Sequence, residues 1–165
     1  MFLGEFVHTL DSKGRLTIPA KFRDRLAAGL VVTRNPSDRC LLLMPMSEWT
    51  KLSDKIKALP ITDRRTSLLR RVLFSAAEDL KPDKQGRILV SQRLRDFAHI
   101  DGEAMVVGMD NFIELWAPDE WQEQVLQKLD DDLDTEIFTA LDVEVDDGDR
   151  CAGSRRCRPC SSSLY

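Results

Sequence analysis

The sequence predicts an α+β fold built of two tandem ββαββα units, and three observations predict it. A short motif occurs twice, as Asp11-Ser12-Lys13-Gly14-Arg15-Leu16-Thr17-Ile18 and as Asp83-Lys84-Gln85-Gly86-Arg87-Ile88-Leu89-Val90. Adding 72 to the residue number carries the match onward, pairing Phe22-Arg23 with Leu94-Arg95, Leu41 and Leu43 with Ile113 and Leu115, and Glu48-Trp49 with Glu120-Trp121. In both copies the apolar spacing switches between the period of a strand and that of a helix in the same order. The correspondence is gapped in one region: Val31-Val32 aligns with Val106-Val107 only if residues are added on one side and removed on the other, which suits loops between strands.

In the first copy, Phe6-Val7-His8-Thr9-Leu10 and Arg15-Leu16-Thr17-Ile18 are β-prone segments flanking Asp11-Ser12-Lys13-Gly14. This is a hairpin signal, because an Asp side chain starts turns by accepting backbone N–H groups and Gly adopts a positive φ that other residues resist. Leu16 and Ile18 alternate with Arg15 and Thr17, so one strand face is apolar and the other carries Arg15. Pro19 ends the strand and suits the first turn of a helix, Ala20 to Ala27, with Phe22 and Leu26 on its apolar stripe and Lys21, Arg23 and Arg25 off it. Two β-rich stretches follow, Leu30 to Thr33 and Cys40 to Met44, and then a helix from Ser47 carrying Trp49, Leu52 and Ile56.

The second copy repeats this logic. Ser91 is placed to N-cap a helix over Gln92 to Ala98, strands are expected at Met105 to Val107 and Phe112 to Trp116, and a helix from Pro118 carries Trp121, Val125 and Leu129. Between the copies, Leu68-Leu69, Val72-Leu73 and Ala76-Ala77 recur at helical spacing within Thr62 to Glu78, so the connection is a helix. The resulting organisation is a first repeat over residues 5–48, connecting helices over 49–76, a second repeat over 77–120 and a C-terminal helix over 121–142. Residues 143–165 have no apolar period and are expected to be disordered. Trp49, Trp116 and Trp121 sit on apolar periods, which assigns them to the core or a subunit interface.

A chain of 165 residues that is 42% hydrophobic and 32% charged has the composition of a soluble globular protein able to bury a core. Its longest apolar runs are strand-sized, and Met1-Phe2-Leu3-Gly4-Glu5 lacks the basic and apolar regions of a secretion signal, so a cytoplasmic location is expected and no membrane partner. The formal net charge of −4 hides an uneven distribution: residues 1–100 hold 19 Lys+Arg against 11 Asp+Glu, and residues 101–149 hold one against 17. Local potential governs attraction to a polyanion, so the basic part remains a candidate nucleic-acid surface. Cys40 lies in an apolar run as a small hydrophobe. Cys157 and Cys160 have metal-ligand spacing, but with Cys151 they make three ligands and neither His8 nor His99 is near in sequence, so no metal is assigned.

The N-terminal Met-Phe-Leu-Gly, the motif from Asp11 to Arg23, its second copy from Asp83 to Arg95 and the segment Glu114-Leu115-Trp116 closely resemble the bacterial MraZ family, over residues 1 to 142. The paired D-x-x-x-R motif is that family's specific mark, and it stands here at Asp11/Arg15 and Asp83/Arg87. The resemblance implies a DNA-binding transcriptional regulator that binds short direct repeats in the promoter of its own division and cell-wall gene cluster. It also implies an AbrB/MazE-like swapped-hairpin β-barrel with flanking helices, two such units per chain, and chains assembled into a ring-shaped homo-oligomer. The expected partners are therefore double-stranded DNA and further copies of the chain, with association to the nucleoid and no cofactor or small-molecule substrate. The ending Arg150 to Tyr165 departs from the family; Cys- and Arg-rich and aperiodic, it has the character of a frameshifted or added end, and no role is assigned to it.

The chemistry of the residues agrees with the resemblance. A guanidinium offers two parallel donors that match guanine O6 and N7 or a phosphate, which makes Arg15 and Arg87, just past tight turns, the candidates to read DNA. Asp11 and Asp83 are assigned to orient them, since a carboxylate facing phosphate would repel it, and Gly14 and Gly86 to shape the turns. Lys13, Lys21 and Arg23, with Lys84, Arg93 and Arg95, are the expected phosphate contacts. Two repeats then give two similar DNA-facing surfaces per chain, multiplied by assembly.

Other readings compete. Each Asp-Arg pair could be a surface ion pair, of ~0–1 kcal/mol. Two pseudo-symmetric aspartates suggest the dyad of an aspartic protease, but Lys13 and Lys84 beside them lower carboxylate pKa values and oppose a shared proton, so no enzyme is expected. An antitoxin-like or scaffolding module, its acidic C-terminal helix binding a basic partner, is the alternative to DNA regulation.

Overall fold

Strand-period apolar residues in both copies need a common interior, and in the computed structural model, which describes residues 1–127, they share one core. Repeat one supplies β1 (Phe2–Thr9), β2 (Arg15–Thr17), α1 (Ala20–Leu26), β3 (Leu30–Arg34), β4 (Leu41–Pro45) and α2 (Met46–Ala58). A connecting helix α3 (Arg64–Ala76) leads to β5 (Glu78–Leu80), β6 (Arg87–Leu89), α4 (Gln92–Phe97), β7 (Glu103–Asp110), β8 (Phe112–Trp116) and α5 (Pro118–Trp121), which runs on into a π-helical turn, Gln122–Leu126. This is the α+β fold and the doubled ββαββα order that the sequence predicts. The remainder of the expected C-terminal helix, Leu129, the tail 143–165 and Cys151, Cys157 and Cys160 lie outside the described residues.

The strands form a six-stranded antiparallel sheet in the order β1-β7-β8-β4-β3-β5 and a two-stranded ribbon, β2-β6. The first strand of each repeat lies on the other repeat: β1 pairs with β7 from Phe2↔Asp110 to Thr9↔Glu103, and β5 pairs with β3 from Leu30↔Leu80 to Val32↔Glu78. Equivalent strands meet at β4-β8 and at β2-β6, so the two repeats are related by a pseudo-two-fold. This is the strand exchange implied by the resemblance. It changes the hairpin reading in one respect: β1 and β2 share a single bridge, Leu10↔Leu16, and beyond their turn they diverge to partners in the other copy.

Register also corrects the alignment at β3. Val32 lies opposite Leu43 as Val106 lies opposite Leu115, so the counterparts of Val31-Val32 are Met105-Val106 and not Val106-Val107. A slip of one residue moves a side chain to the opposite face of a sheet. Val32 and Val106 accordingly fill the main core, while Val107 packs on the outer face with Cys40 and Trp116.

The main core lies between the inner face of the sheet, the ribbon, α1 and α4; Phe2, Leu16, Phe22, Leu43, Ile88, Leu94 and Leu115 are all buried in it. An isolated two-stranded ribbon is marginal in water, and burial of Leu16 and Ile88, at ~1.5–3 kcal/mol each, fixes this one to the body. On the outer face α2 and α3 cover β4 through Leu42, Met44, Ile56 and Leu73, with Trp49 edge-on to Phe74 at 5.6 Å. Cys40, Trp116 and Trp121 form a third cluster, the two indoles 5.8 Å apart, and burial pushes the Cys40 thiol up to about 12. The tryptophans thus pack in the body, as their periods predict. Asp63 caps α3 by accepting from Arg65 N and Thr66 N, and Arg70 Nη2 donates to the carbonyls of Ile56 and Lys57, both at 3.0 Å, closing the end of α2. Ser91 occupies the N-cap position of α4 without capping it; its hydroxyl donates to Glu78 Oε1 at 2.6 Å, tying α4 to β5.

Candidate nucleic-acid interface

Each Asp-x-x-Gly-Arg turn is built by its aspartate. Asp11 Oδ1 accepts from Lys13 N at 2.9 Å and Arg15 N at 3.0 Å, and its Oδ2 accepts from Arg15 Nε at 2.6 Å. Asp83 repeats the pattern, with Oδ1 accepting from Gln85 N at 2.8 Å and Arg87 N at 2.9 Å and Oδ2 from Arg87 Nε at 2.8 Å. Gly14 at φ +79° and Gly86 at φ +73° turn the chain through the left-handed region, where a side chain is strained. The backbone N–H of Arg15, then its guanidinium and Lys13 N, hold the Asp11 carboxyl below the ordinary range, and the N–H and guanidinium of Arg87 hold Asp83 down to about 2. Both carboxylates are ionised at neutral pH and satisfied within their own turns, which fits an orienting role and not a shared-proton dyad.

Pairing of β2 with β6 brings the two motifs together. Arg15 lies opposite Leu89, Leu16 opposite Ile88 and Thr17 opposite Arg87. Side chains alternate along a strand, so Leu16 and Ile88 face the core, while Arg15, Thr17, Arg87 and Leu89 share the outward face. Arg15 and Arg87 are diagonal neighbours there, roughly 7–8 Å apart by the usual spacing of such positions. The two separate DNA-facing surfaces expected from the duplication are therefore one composite surface per chain.

Each turn is also held by the opposite repeat. Ile18 N donates to Gly86 O at 2.9 Å and Val90 N donates to Gly14 O at 3.0 Å. Arg23, with Nε donating to Ile18 O at 2.9 Å, lies against Gly86, where a Cβ would stand 2.5–2.9 Å from its Nε, Cδ and Cζ. Arg95, with Nε donating to Val90 O at 3.1 Å, covers Gly14 in the same way, its Cζ, Nη2 and Nε 2.8–2.9 Å from where a Cβ on Gly14 would stand. Both glycines thus have a second reason to lack a side chain.

The other cations disperse. Lys13 and Lys84 are exposed on the two turns, but they are not equivalent: under the 72-residue shift Lys13 corresponds to Gln85 and Lys84 to Ser12. Lys21 Nζ sits 4.3 Å from the centroid of the Phe6 ring and 5.2 Å from that of Phe22. Its counterpart Arg93 reaches Ser75 O at 3.3 Å and Glu78 Oε1 at 3.4 Å, at the junction of α3 and β5. Of the eight cations singled out in the sequence, four sit on the ribbon and its turns, Arg23 and Arg95 brace the turns, and Lys21 and Arg93 lie against the chain's own side chains and backbone. Thr17 and Leu89, on the outward face, were not singled out; the alternation that buries Leu16 and Ile88 was the signal for them.

The chain is similar along most of its length to known proteins of one family. The family model described as "MraZ protein, putative antitoxin-like" matches twice, over residues 1–72 and 73–143. Proteins named "Transcriptional regulator MraZ" are similar over most of their length: one from Herpetosiphon aurantiacus is 55% identical over 122 residues, covering 74% of this chain and 85% of that protein. One from a Roseiflexus species is 48% identical over 130 residues, covering 79% and 90%. One from Limosilactobacillus reuteri is 48% identical over 121 residues, covering 73% and 84%.

Proposed function

The chain belongs to the MraZ family, and from that premise we propose that it is a transcriptional regulator that binds DNA sequence-specifically, at short direct repeats in the promoter of its own division and cell-wall gene cluster. The observation that carries this reading is the shared outward face of the ribbon, with Arg15 tethered to Asp11 through Nε and Arg87 to Asp83 through Nε and Nη2. A two-stranded ribbon fits the major groove; a guanidinium held at Nε, as in Arg15, keeps its Nη hydrogens for guanine O6 and N7, and Arg87, whose Nη2 also faces Asp83, keeps those of Nη1 and the outer hydrogen of Nη2. Each carboxylate next to DNA is neutralised by its arginine and by turn N–H groups, so it positions without repelling. Lys13 and Lys84, exposed at the ends of the ribbon, contact phosphates and hold register, as do whatever donors Lys21, Arg23, Arg93 and Arg95 have to spare.

Each chain presents one surface, so binding to several repeats depends on assembly into a ring-shaped homo-oligomer, which raises apparent affinity through effective concentration. Exposed apolar side chains support self-association: Leu3 and Val7 on edge strand β1 with Met109 beside them, and Leu59, Ile61 and Leu68 around α3. Association with the nucleoid follows from DNA binding.

The test is binding of the full chain to duplex DNA from upstream of its own coding sequence, titrated with salt beside a scrambled duplex. Affinity is expected to fall steeply with salt, with a slope near −0.9 per phosphate contacted, and to favour the upstream repeats at every salt concentration. Equal binding to both duplexes would sink the regulator reading in favour of a protein-interaction module.

A further inference from the structure

Leu89 is 53% exposed on the ribbon's outward face, at the end it shares with Arg15. A single exposed leucine is ordinary on a protein surface. This one is set apart by its neighbours: it lies directly opposite Arg15, and the two-residue period of β6 puts it on the same side as Arg87. The other side of the same four-residue patch is the core, through Leu16 and Ile88, each 1% exposed. The pseudo-two-fold that relates Arg15 to Arg87 relates Leu89 to Thr17, so the composite surface is symmetric in its arginines and asymmetric in the residues paired across from them.

We propose that Leu89 is a specificity-determining residue that meets the 5-methyl group of a thymine in the major groove, beside the base read by Arg15, and that its difference from Thr17 gives the ribbon one direction along DNA. The inference rests on the DNA-binding reading above. Among the base edges in the major groove, thymine alone presents a methyl group, and an apolar side chain is its natural complement. Leucine has no donor or acceptor, so a base edge that offers only polar atoms at this place loses its water and gains nothing. Thr17, with both a methyl and a hydroxyl, accommodates either kind of edge. A DNA element read by Arg15-Leu89 at one end and Arg87-Thr17 at the other is therefore not a palindrome, despite the near-symmetry of the ribbon.

The experiment measures binding of the full chain, by fluorescence anisotropy, to the upstream duplex with each thymine replaced in turn by uracil, which removes the methyl alone. For the unaltered chain, replacement at one thymine in each repeated element is expected to weaken binding about four-fold, the equivalent of ~0.8 kcal/mol for one buried methyl-sized group. Leu89→Ala is expected to bind the thymine and uracil duplexes alike at that position, and Leu89→Ile to restore the difference. Because Leu89 is half in solvent, these variants leave the core intact, which their thermal midpoints check. Preference for upstream over scrambled DNA with indifference to uracil at every position overturns the inference, as does an undiminished thymine effect in Leu89→Ala. No preference for upstream DNA in the unaltered chain overturns instead the reading on which it rests.

Discussion

At the first turn, Gly14 is covered by Arg95, whose Nη2 is itself held by Gln92 Oε1 at 2.7 Å; at the second, Gly86 is covered by Arg23, tied through Nε to Ile18 O at 2.9 Å. The internal bonds of the two turns match nearly atom for atom, each carboxylate taking two backbone N–H groups and one guanidinium. What differs points outward: Ser12-Lys13 against Lys84-Gln85, and Thr17 against Leu89. Duplication has kept the device that aims an arginine and has let the chemistry around it diverge. The arrangement also makes each turn dependent on the other repeat, since the brace, the β-partner and a backbone donor all come from across the pseudo-two-fold.

The comparison breaks most severely at the glycines. Gly86→Ala and Gly14→Ala each place a side chain at positive φ and against an arginine, and a thermal or denaturant unfolding series is expected to show losses of about 1–3 kcal/mol. In an Arg23→Ala background the cost of Gly86→Ala is expected to fall by about 0.5 kcal/mol or more, whereas Arg95→Ala leaves it unchanged. Equal costs in both backgrounds would remove the crosswise brace.

A step smaller, the braces themselves are expected to act on the opposite motif. Arg23→Ala should shift the amide resonances of Asp83 to Arg87, and Arg95→Ala those of Asp11 to Arg15, each for about 1 kcal/mol of stability. Shifts confined to the turn in the same repeat would show that the two motifs fold independently. Lysine at either position restores charge without the flat stacking surface, so it is expected to rescue poorly.

The smallest effect is that of pH. The folded pKa of Asp83, about 2, lies below that of an unfolded aspartate, so its contribution to stability is complete above the unfolded value of about 3.9 and fades as pH falls through about 2. The turn is expected to keep its geometry from neutral pH to about 4, with the Arg87 amide responding to acid near pH 2. A carboxyl titration midpoint for Asp83 near 4 would contradict the hydrogen-bonded turn.

Much of this was legible in the sequence because it is local. An Asp and a Gly three residues apart announce a turn, alternation around Leu16 buries one strand face, and the spacing of Leu68, Leu69, Val72 and Leu73 announces α3. The partners of those elements are long-range and have no local period, so neither the exchange of β1 and β5 nor the merging of two motifs into one ribbon could be read from spacing. Arg23 and Arg95 sit off the apolar stripes of α1 and α4, which marks them as facing away from the core; that they lie on glycines of the other copy depends on tertiary arrangement alone. Ser91 had the chemistry of a cap, and its hydroxyl instead serves Glu78, a residue brought near by strand exchange.

The most direct measurement is the affinity of the full chain for a duplex carrying a single repeated element, compared with Arg15→Ala, Arg87→Ala and the double variant, each verified as folded. If the two motifs form one reading surface, each single variant loses about tenfold or more on that one element, as expected for a bidentate contact of ~1–3 kcal/mol, and the double variant retains only salt-sensitive, sequence-blind binding. Unchanged single-element binding by either single variant would contradict a composite surface, and unchanged binding by the double variant would contradict the site.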